Sequence, residues 1–423
     1  MSQHDMLIAD QEGAPFLADL NGAIEALSSN SSGTTEPATT KPYQWWADTT
    51  TFILKQRNSA NSAWVSILDL VTGKPYATGT PSSATFLRGD GTWSAVGSYG
   101  LFYKADPSTV AFTKTGAGTA SIKAGSKIDV AGTLVEFASA TAITMPTLTV
   151  GSDYAIWVKD DATLEASTGF TSAPGAGNWR KIGGFHYAAG SVAAAQAGGD
   201  TTPQIIATSF WDLKFRPRCD PRGMTLDVCG VWVDAYILNT DHITNGTSKY
   251  NATIADGSNP PKIPIKFGGN GSTAYSSFTR FEAAEVLASH NKRLPTYAEF
   301  CSFAYGTTEA TSSGGSDVPT TGVSGTGATN AWNKFTSHCG VFQASGCMWI
   351  WGAEFGGGAA GAGYVANTGG RGSTYQMENA VIFGGSWGNA AASGSRASTW
   401  SNSPAGSNYS IGARGVCDHL ILD

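Results

Sequence analysis

The sequence contains no run of 18 apolar residues and no block of lysine and arginine. A membrane-spanning helix needs about 20 consecutive apolar residues, so no segment reads as a span. The opening stretch, MSQHDMLIADQEGAPFLADL, lacks the basic region and unbroken apolar core of a secretory leader. Nothing marks the chain for secretion or for membrane insertion. Charge is also scarce, at 14% of residues against roughly a quarter in ordinary soluble domains. The 26 basic and 32 acidic side chains leave a net charge of -6, which offers no long-range attraction to a phosphate backbone. Nucleic acid is therefore not an expected partner.

Six cysteines stand at Cys219, Cys229, Cys301, Cys339, Cys347 and Cys417, with neither a CxxC pair nor a disulfide-framework rhythm. They read as buried thiols of a protein made in a reducing cytosol, although a Cys219–Cys229 or Cys347–Cys417 pair stays open because spacing does not decide it. Hydrolase and nucleotide motifs are missing: there is no HExxH, no GxSxG and no P-loop. The histidines His4, His186, His242, His290, His338 and His419 are scattered, and His419 beside Asp418 reads as a satisfied pair. Glu354 in WGAEF is a lone carboxylate that a backbone group or an arginine can satisfy. Calcium-dependent sugar binding needs oxygen ligands converging on one loop, and no EPN-type or QPD-type triplet supplies them. We therefore expect no catalytic residues, no metal and no cofactor.

What is present is apolar and glycine-rich. Hydrophobic residues make up 41%, with 13 Trp, 14 Tyr and 19 Phe beside 53 Gly. That mixture suits short strands and tight turns, and 423 residues exceed one ordinary core, so we expect a mainly β, multidomain protein.

Three segments follow. Residues 1–98 hold one helix, PFLADLNGAIEALSS, with Phe16, Leu17, Leu20, Ile24 and Leu27 at helical spacing. The linker SSNSSGTTEPATTKP ends it and leaves this end free to dock elsewhere; strand-like runs around RNSANS come next, then an RGDG turn before Trp93. In residues 99–204, strands recur about every ten residues, the rhythm of a β-sandwich with a structural role.

Residues 205–423 add helix signals. Thr279 with Glu282, and Thr296 with Glu299 just after Pro295, are capping boxes that open two short helices. Gly/Ser/Thr loops then alternate with the strand cores GCMWIWG, AVIFGGSWG and GARGVCDHLIL. Trp349, Trp351, Phe383, Trp387 and Trp400 are the expected packed anchors.

The stretches KRLPTYAEF, GCMWIWGAEF, FGGSW and GARGV occur in the order and spacing of C-type-lectin-fold domains of the formylglycine-generating-enzyme type. With the terminal SGSRASTWSNSPAGSNYSIGARGVCDHLILD, the chain from about Tyr99 onward resembles the phage major tropism determinants. These are receptor-binding tail-fibre tip proteins whose C-terminal region is varied by a diversity-generating retroelement. The first 98 residues resemble tailed-phage fibre attachment segments, which commonly intertwine as trimers.

The resemblance implies a homotrimer on the virion at the fibre tip, assembled in the host cytoplasm. Its N-terminus would join other tail proteins and its C-terminus would meet a bacterial surface receptor, expected to be a protein. Carried over by position, the variable region is about 384–415. Its variable set is Ser386, Gly388, Asn389, Ala390, Ala392, Thr399, Ser401, Asn402, Gly406, Asn408, Ser410 and Ile411, with Tyr409 as an addition. Trp387, Arg396, Trp400, Pro404, Gly412, Arg414 and Gly415 would be the fixed frame. Strand alternation would put Ser386, Gly388, Ala390 and Ala392 on one face and Trp387 on the other.

Two other function classes compete. RLPTYAEF and GGSW also resemble formylglycine-generating oxidases, whose C-terminal segment carries a cysteine pair; here GSWGNAAASGSRASTW has no cysteine, so we expect no oxidase. A purely structural fibre component is the remaining alternative.

Overall fold

The computed structural model describes residues 3–5, 7–76, 85–87, 93–95, 100–356, 364–366, 373–375 and 379–421. The RGDG turn, and most of the loop from Gly357 to Met377, lie outside the described residues. The chain forms two compact units, Met1–Gly97 and Ser98–Asp423.

In the first unit the helix Ala14–Ser28 starts after Gly13, with a proline in its first turn where the missing N–H costs nothing. Ala23 and Ala26 are buried, whereas Phe16, Leu17, Leu20, Ile24 and Leu27 are all exposed. A three-stranded antiparallel sheet follows, Trp45–Asp48, Ile53–Arg57 and Trp64–Asp69 in sequence order. Trp46 and Trp64 meet edge to face at 5.3 Å, and Lys55 Nζ lies over the Trp46 ring while pairing with Asp48 at 2.7 Å. A small hairpin pairs Thr85–Leu87 with Trp93–Ala95.

The second unit opens with three sheets around one core. Two are three-stranded; the third is five-stranded, with Trp179–Ala188 pairing Ser152–Lys159 on one side and Gln204–Ile205 and Trp211–Asp212 on the other. Phe102, Phe112, Ile122, Ile156, Phe185 and Phe210 are among the side chains that fill the core. A buried ion pair, Lys104 Nζ to Asp212 Oδ2 at 2.9 Å, ties the end of the strand Phe102–Tyr103 to the strand Trp211–Asp212.

Beyond Ile205 two four-stranded sheets carry the rest. One orders Phe215–Pro217, Val416–Ile421, Val231–Asp234 and Met224–Leu226, so the chain's last described strand is central. The other orders Ser398–Asn402, Asn379–Phe383, Trp349–Gly356 and Ile411–Gly412, the last pair parallel.

Both faces of that second sheet are covered. Ala380 and Ile382 pack with Trp351 and the helix Arg280–Ser289, while Val381 and Phe383 pack with Phe300 and Phe303 of the helix Tyr297–Phe303. This is why AVIF reads as a continuous apolar run rather than an alternating one. Both helices start with complete capping boxes, Glu282 and Glu299 each accepting the N-cap amide at 2.8 Å. All six cysteines are free thiols; Cys219 Sγ lies 3.4 Å from Met224 Sδ, and neither pairing left open by the spacing is formed.

Candidate receptor-contact surface

The segment 384–412 leaves the sheet at Phe383, makes a loop, returns as the strand Ser398–Asn402, and passes through a second loop to Ile411–Gly412. Its first loop is not a strand: residues Ala390–Ala392 form a single 3₁₀ turn. The alternation expected for 386–392 is therefore replaced by turn geometry. Asn389 Oδ1 accepts from both the amide and the hydroxyl of Ser386, at 2.8 and 2.7 Å, and closes the turn. Such Asx closure is what Asn supplies in turns.

Residues far away in sequence hold this loop. Ser312 Oγ donates to the Trp387 carbonyl at 2.6 Å and accepts from the Ala390 amide at 3.2 Å. Glu309 takes the Ser395 amide and hydroxyl at 3.0 and 2.5 Å, and Tyr297 Oη donates to the Arg396 carbonyl at 2.9 Å. Gly385, at φ 86°, lies so close to Ser393 that a Cβ there would sit 2.3 Å from Ser393 Oγ. None of these clamps had a signal in the sequence, because each joins positions roughly 75 to 100 apart.

Below the loops sits Arg414, fully buried, donating to the carbonyls of Asp234 at 2.6 Å, Phe342 at 2.6 Å and Gln343 at 3.2 Å. Burial pulls its guanidinium down to about 10, still protonated at neutral pH. Arg280, also buried, donates to the carbonyls of Gly352 and Ala353 and stacks 3.8 Å from the Phe355 ring. Its own amide donates to the Pro404 carbonyl. Glu354 Oε1 accepts the Tyr297 amide at 2.7 Å, while its Oε2 is buried without a hydrogen-bond partner. His419 is half-buried, its Nδ1 accepting from Trp232 Nε1 at 2.7 Å, while Asp418 pairs with Arg293.

Of the expected variable positions, Gly388, Ala390, Ala392, Ser401 and Asn408 are exposed, and Asn389, Thr399, Asn402, Gly406 and Ser410 are half-buried. Tyr409, expected to turn inward by alternation, is exposed with its ring 5.5 Å from Trp387. A Cβ added at Gly388 would meet nothing within 4 Å.

Two positions differ from the rest. Ile411 is buried in the core with Trp351 and Leu287, because its strand pairs with Trp349–Gly356, and Ser386 is buried under its own turn. Among the expected frame residues, Trp387 is buried against Phe335 and Met348, and Gly412, Arg414 and Gly415 are buried. Trp400 is not: it is 40% exposed and touches Tyr297 edge to face at 6.1 Å. It lies on the edge strand of its sheet, where Ser401 beside it is exposed as well. Arg396 is likewise exposed, and only its carbonyl serves the frame.

Comparison with known proteins fits this layout. Residues 110–212 match the family model described as the Mtd second domain. The chain is 60% identical over 325 residues to the tail fiber receptor-binding protein of Bordetella phage BPP-1, covering 76% of this chain and 85% of that protein. The chain belongs to the major tropism determinant family. The solved U1 variant of the Major Tropism Determinant superposes with a TM-score of 0.75 at 52% identity, covering 90% of this chain and 96% of its own. The P3c variant gives the same score and identity over 92% and 99%. The mainly β architecture with a C-type-lectin-like fold is thus the family's own.

Proposed function

We propose that this chain is the receptor-binding protein of a phage tail fibre, setting host tropism by contact with a bacterial surface receptor. The observation that carries the proposal is the contrast within one segment. Exposed small residues at 388, 390, 392 and 408 ride on loops, and Ser401 on the strand between them, with the first loop held by Ser312 and Glu309. Loops on a rigid frame are where recognition residues collect. The variable set named above is the display surface, with Ser386 and Ile411 as its buried edge. The receptor is a protein, read without a metal, and the chain is not an enzyme: segment 385–400 carries no thiol.

In this reading, residues 1–98 attach and trimerise, 99–204 form the structural β-sandwich and 205–423 the lectin-fold tip. The protein resides in the virion at the fibre tip after assembly in the host cytoplasm. Trimerisation agrees with the helix Ala14–Ser28: Leu17, Leu20, Ile24 and Leu27 alternate at three and four residues, the spacing of a coiled-coil seam, and all are exposed in the single chain. Small side chains bury little apolar area, about 25 cal/mol per Å², so one site binds weakly and multivalency raises avidity by about 10² to 10⁴.

The test is binding of full-length protein to susceptible and resistant cells of one host. Binding to the susceptible cells alone is expected; equal binding, or none, would assign the chain to a structural role.

A further inference from the structure

A cluster of unlike donors lies away from the display surface. Asp227 follows the strand Met224–Leu226 in a tight turn closed by its own amide and carbonyl, and His338 and Cys339 occupy a second turn between Ser337 and Gly340. One ligand atom from each, a carboxylate oxygen, an imidazole nitrogen and a thiol sulfur, falls within 4.8 Å of the other two; among the described residues no other group of three His, Cys, Asp or Glu does so.

The polarity of the contacts is the second observation. His338 Nδ1 lies 3.0 Å from the Tyr305 carbonyl, which only accepts, so Nδ1 carries the proton. A neutral imidazole then turns its Nε2 lone pair toward Asp227 Oδ1, 3.2 Å away, and two acceptors face each other. Asp227 Oδ1 is buried and receives no hydrogen bond, while Oδ2 is oriented by Ser302 Oγ at 2.5 Å and by Cys229 Sγ at 2.9 Å. Cys339 Sγ is buried with only weak sulfur contacts, to Ser337 Oγ at 3.4 Å and the Phe303 carbonyl at 3.6 Å. Either the imidazole holds a second proton or a cation joins the three atoms.

We propose that Asp227 Oδ1, His338 Nε2 and Cys339 Sγ form a structural site for a divalent cation of the zinc class. Tetrahedral zinc with bonds of roughly 2.0 Å to N and O and 2.3 Å to S puts N and O about 3.3 Å apart, which the 3.2 Å separation matches. A mixed N, O and S set favours zinc over the hard cations, which take oxygen alone. The Tyr305 carbonyl on Nδ1 and Ser302 on Oδ2 are the outer partners that orient metal ligands. Binding releases the Cys339 thiol proton to solvent and locks two turns separated by more than 100 residues in sequence. None of the three ligands belongs to the proposed display surface, so the metal serves the frame.

The test uses full-length protein stripped of metal and titrated with Co²⁺. Expected are one Co²⁺ per chain, a thiolate-to-cobalt charge-transfer band with tetrahedral d–d bands, and displacement by Zn²⁺. Cys339→Ser should abolish the charge-transfer band. Should that buried substitution fail to fold, His338→Ala, on a partly exposed side chain, should keep native circular dichroism and weaken Co²⁺ binding at least about tenfold. A spectroscopically silent titration, a band that survives Cys339→Ser, or unchanged affinity in His338→Ala would overturn the site and leave Asp227 and His338 as an ordinary ion pair.

Discussion

Gly385 and Gly388 are three residues apart in one loop, yet they should respond in opposite ways to an added side chain. At Gly388 a Cβ meets nothing within 4 Å, and its backbone is not in the left-handed region. Even Gly388→Tyr should therefore change stability by no more than about 0.5 kcal/mol, as surface substitutions do. Gly385 has φ 86°, and its Cβ would stand 2.3 Å from Ser393 Oγ, 2.8 Å from its Cβ and 2.9 Å from its Cα.

Gly385→Ala therefore combines a left-handed cost of about 1–2 kcal/mol with an overpacking cost of about 1–3 kcal/mol. The sum, about 2–5 kcal/mol, corresponds in a domain of this size to a Tm drop on the order of 5–10 °C. Thermal unfolding of full-length protein followed by near-ultraviolet circular dichroism reads both variants. If Gly388→Tyr lowered Tm as far as Gly385→Ala, the division between open face and frame would be refuted.

Other changes follow from the same geometry. Arg414→Met removes the donor from three buried carbonyls, each costing about 1–3 kcal/mol when left unpaired, so the denaturant midpoint should fall by the equivalent of at least 3 kcal/mol, roughly. Ala390 adopts φ 45°, so Ala390→Gly should raise stability by about 0.5 kcal/mol in the same assay, while Ala390→Val should lower it. His242 donates from Nε2 to the Lys262 carbonyl and its Nδ1 lies 2.9 Å from His290 Nε2, a chain that suits two neutral rings. Burial depresses both histidines, His290 to about 4 from an ordinary 6.5. The unfolded chain then takes up protons first as pH falls, so stability present above pH 6.5 should be lost toward about pH 4. His290→Gln should flatten that acid limb, and an unchanged pH profile would contradict the neutral pair.

Local signals were legible where the physics is local. Thr279 with Glu282 and Thr296 with Glu299 cap their helices because a capping box needs only four consecutive residues. The apolar run AVIF announced a strand, although not that both its faces would be covered. Trp387 and Arg414, large residues set among small ones, are both buried. Trp400 misled because size suggests burial, whereas it lies on an edge strand beside the exposed Ser401. Ile411 sits inside because of a parallel pairing with Trp349, a contact across 62 residues that no window along the chain contains. The turn at Ala390–Ala392 was hidden for another reason: small residues accept either a strand or a turn, and Asn389 with Ser312 decides between them. Asp227, His338 and Cys339 had no metal-ligand spacing to reveal them, since topology alone brings them together.

The central claim is that the 384–415 segment carries a replaceable face on a buried frame, and sequencing its codons across a propagated phage population tests it most directly. The account predicts substitutions concentrated at the exposed and half-buried positions of the variable set, Gly388, Asn389, Ala390, Ala392, Thr399, Ser401, Asn402, Gly406, Asn408 and Ser410, with Gly385, Trp387 and Arg414 constant. Uniform codons throughout, or changes falling as often on Gly385, Trp387 and Arg414 as on Gly388 and Asn408, would contradict it.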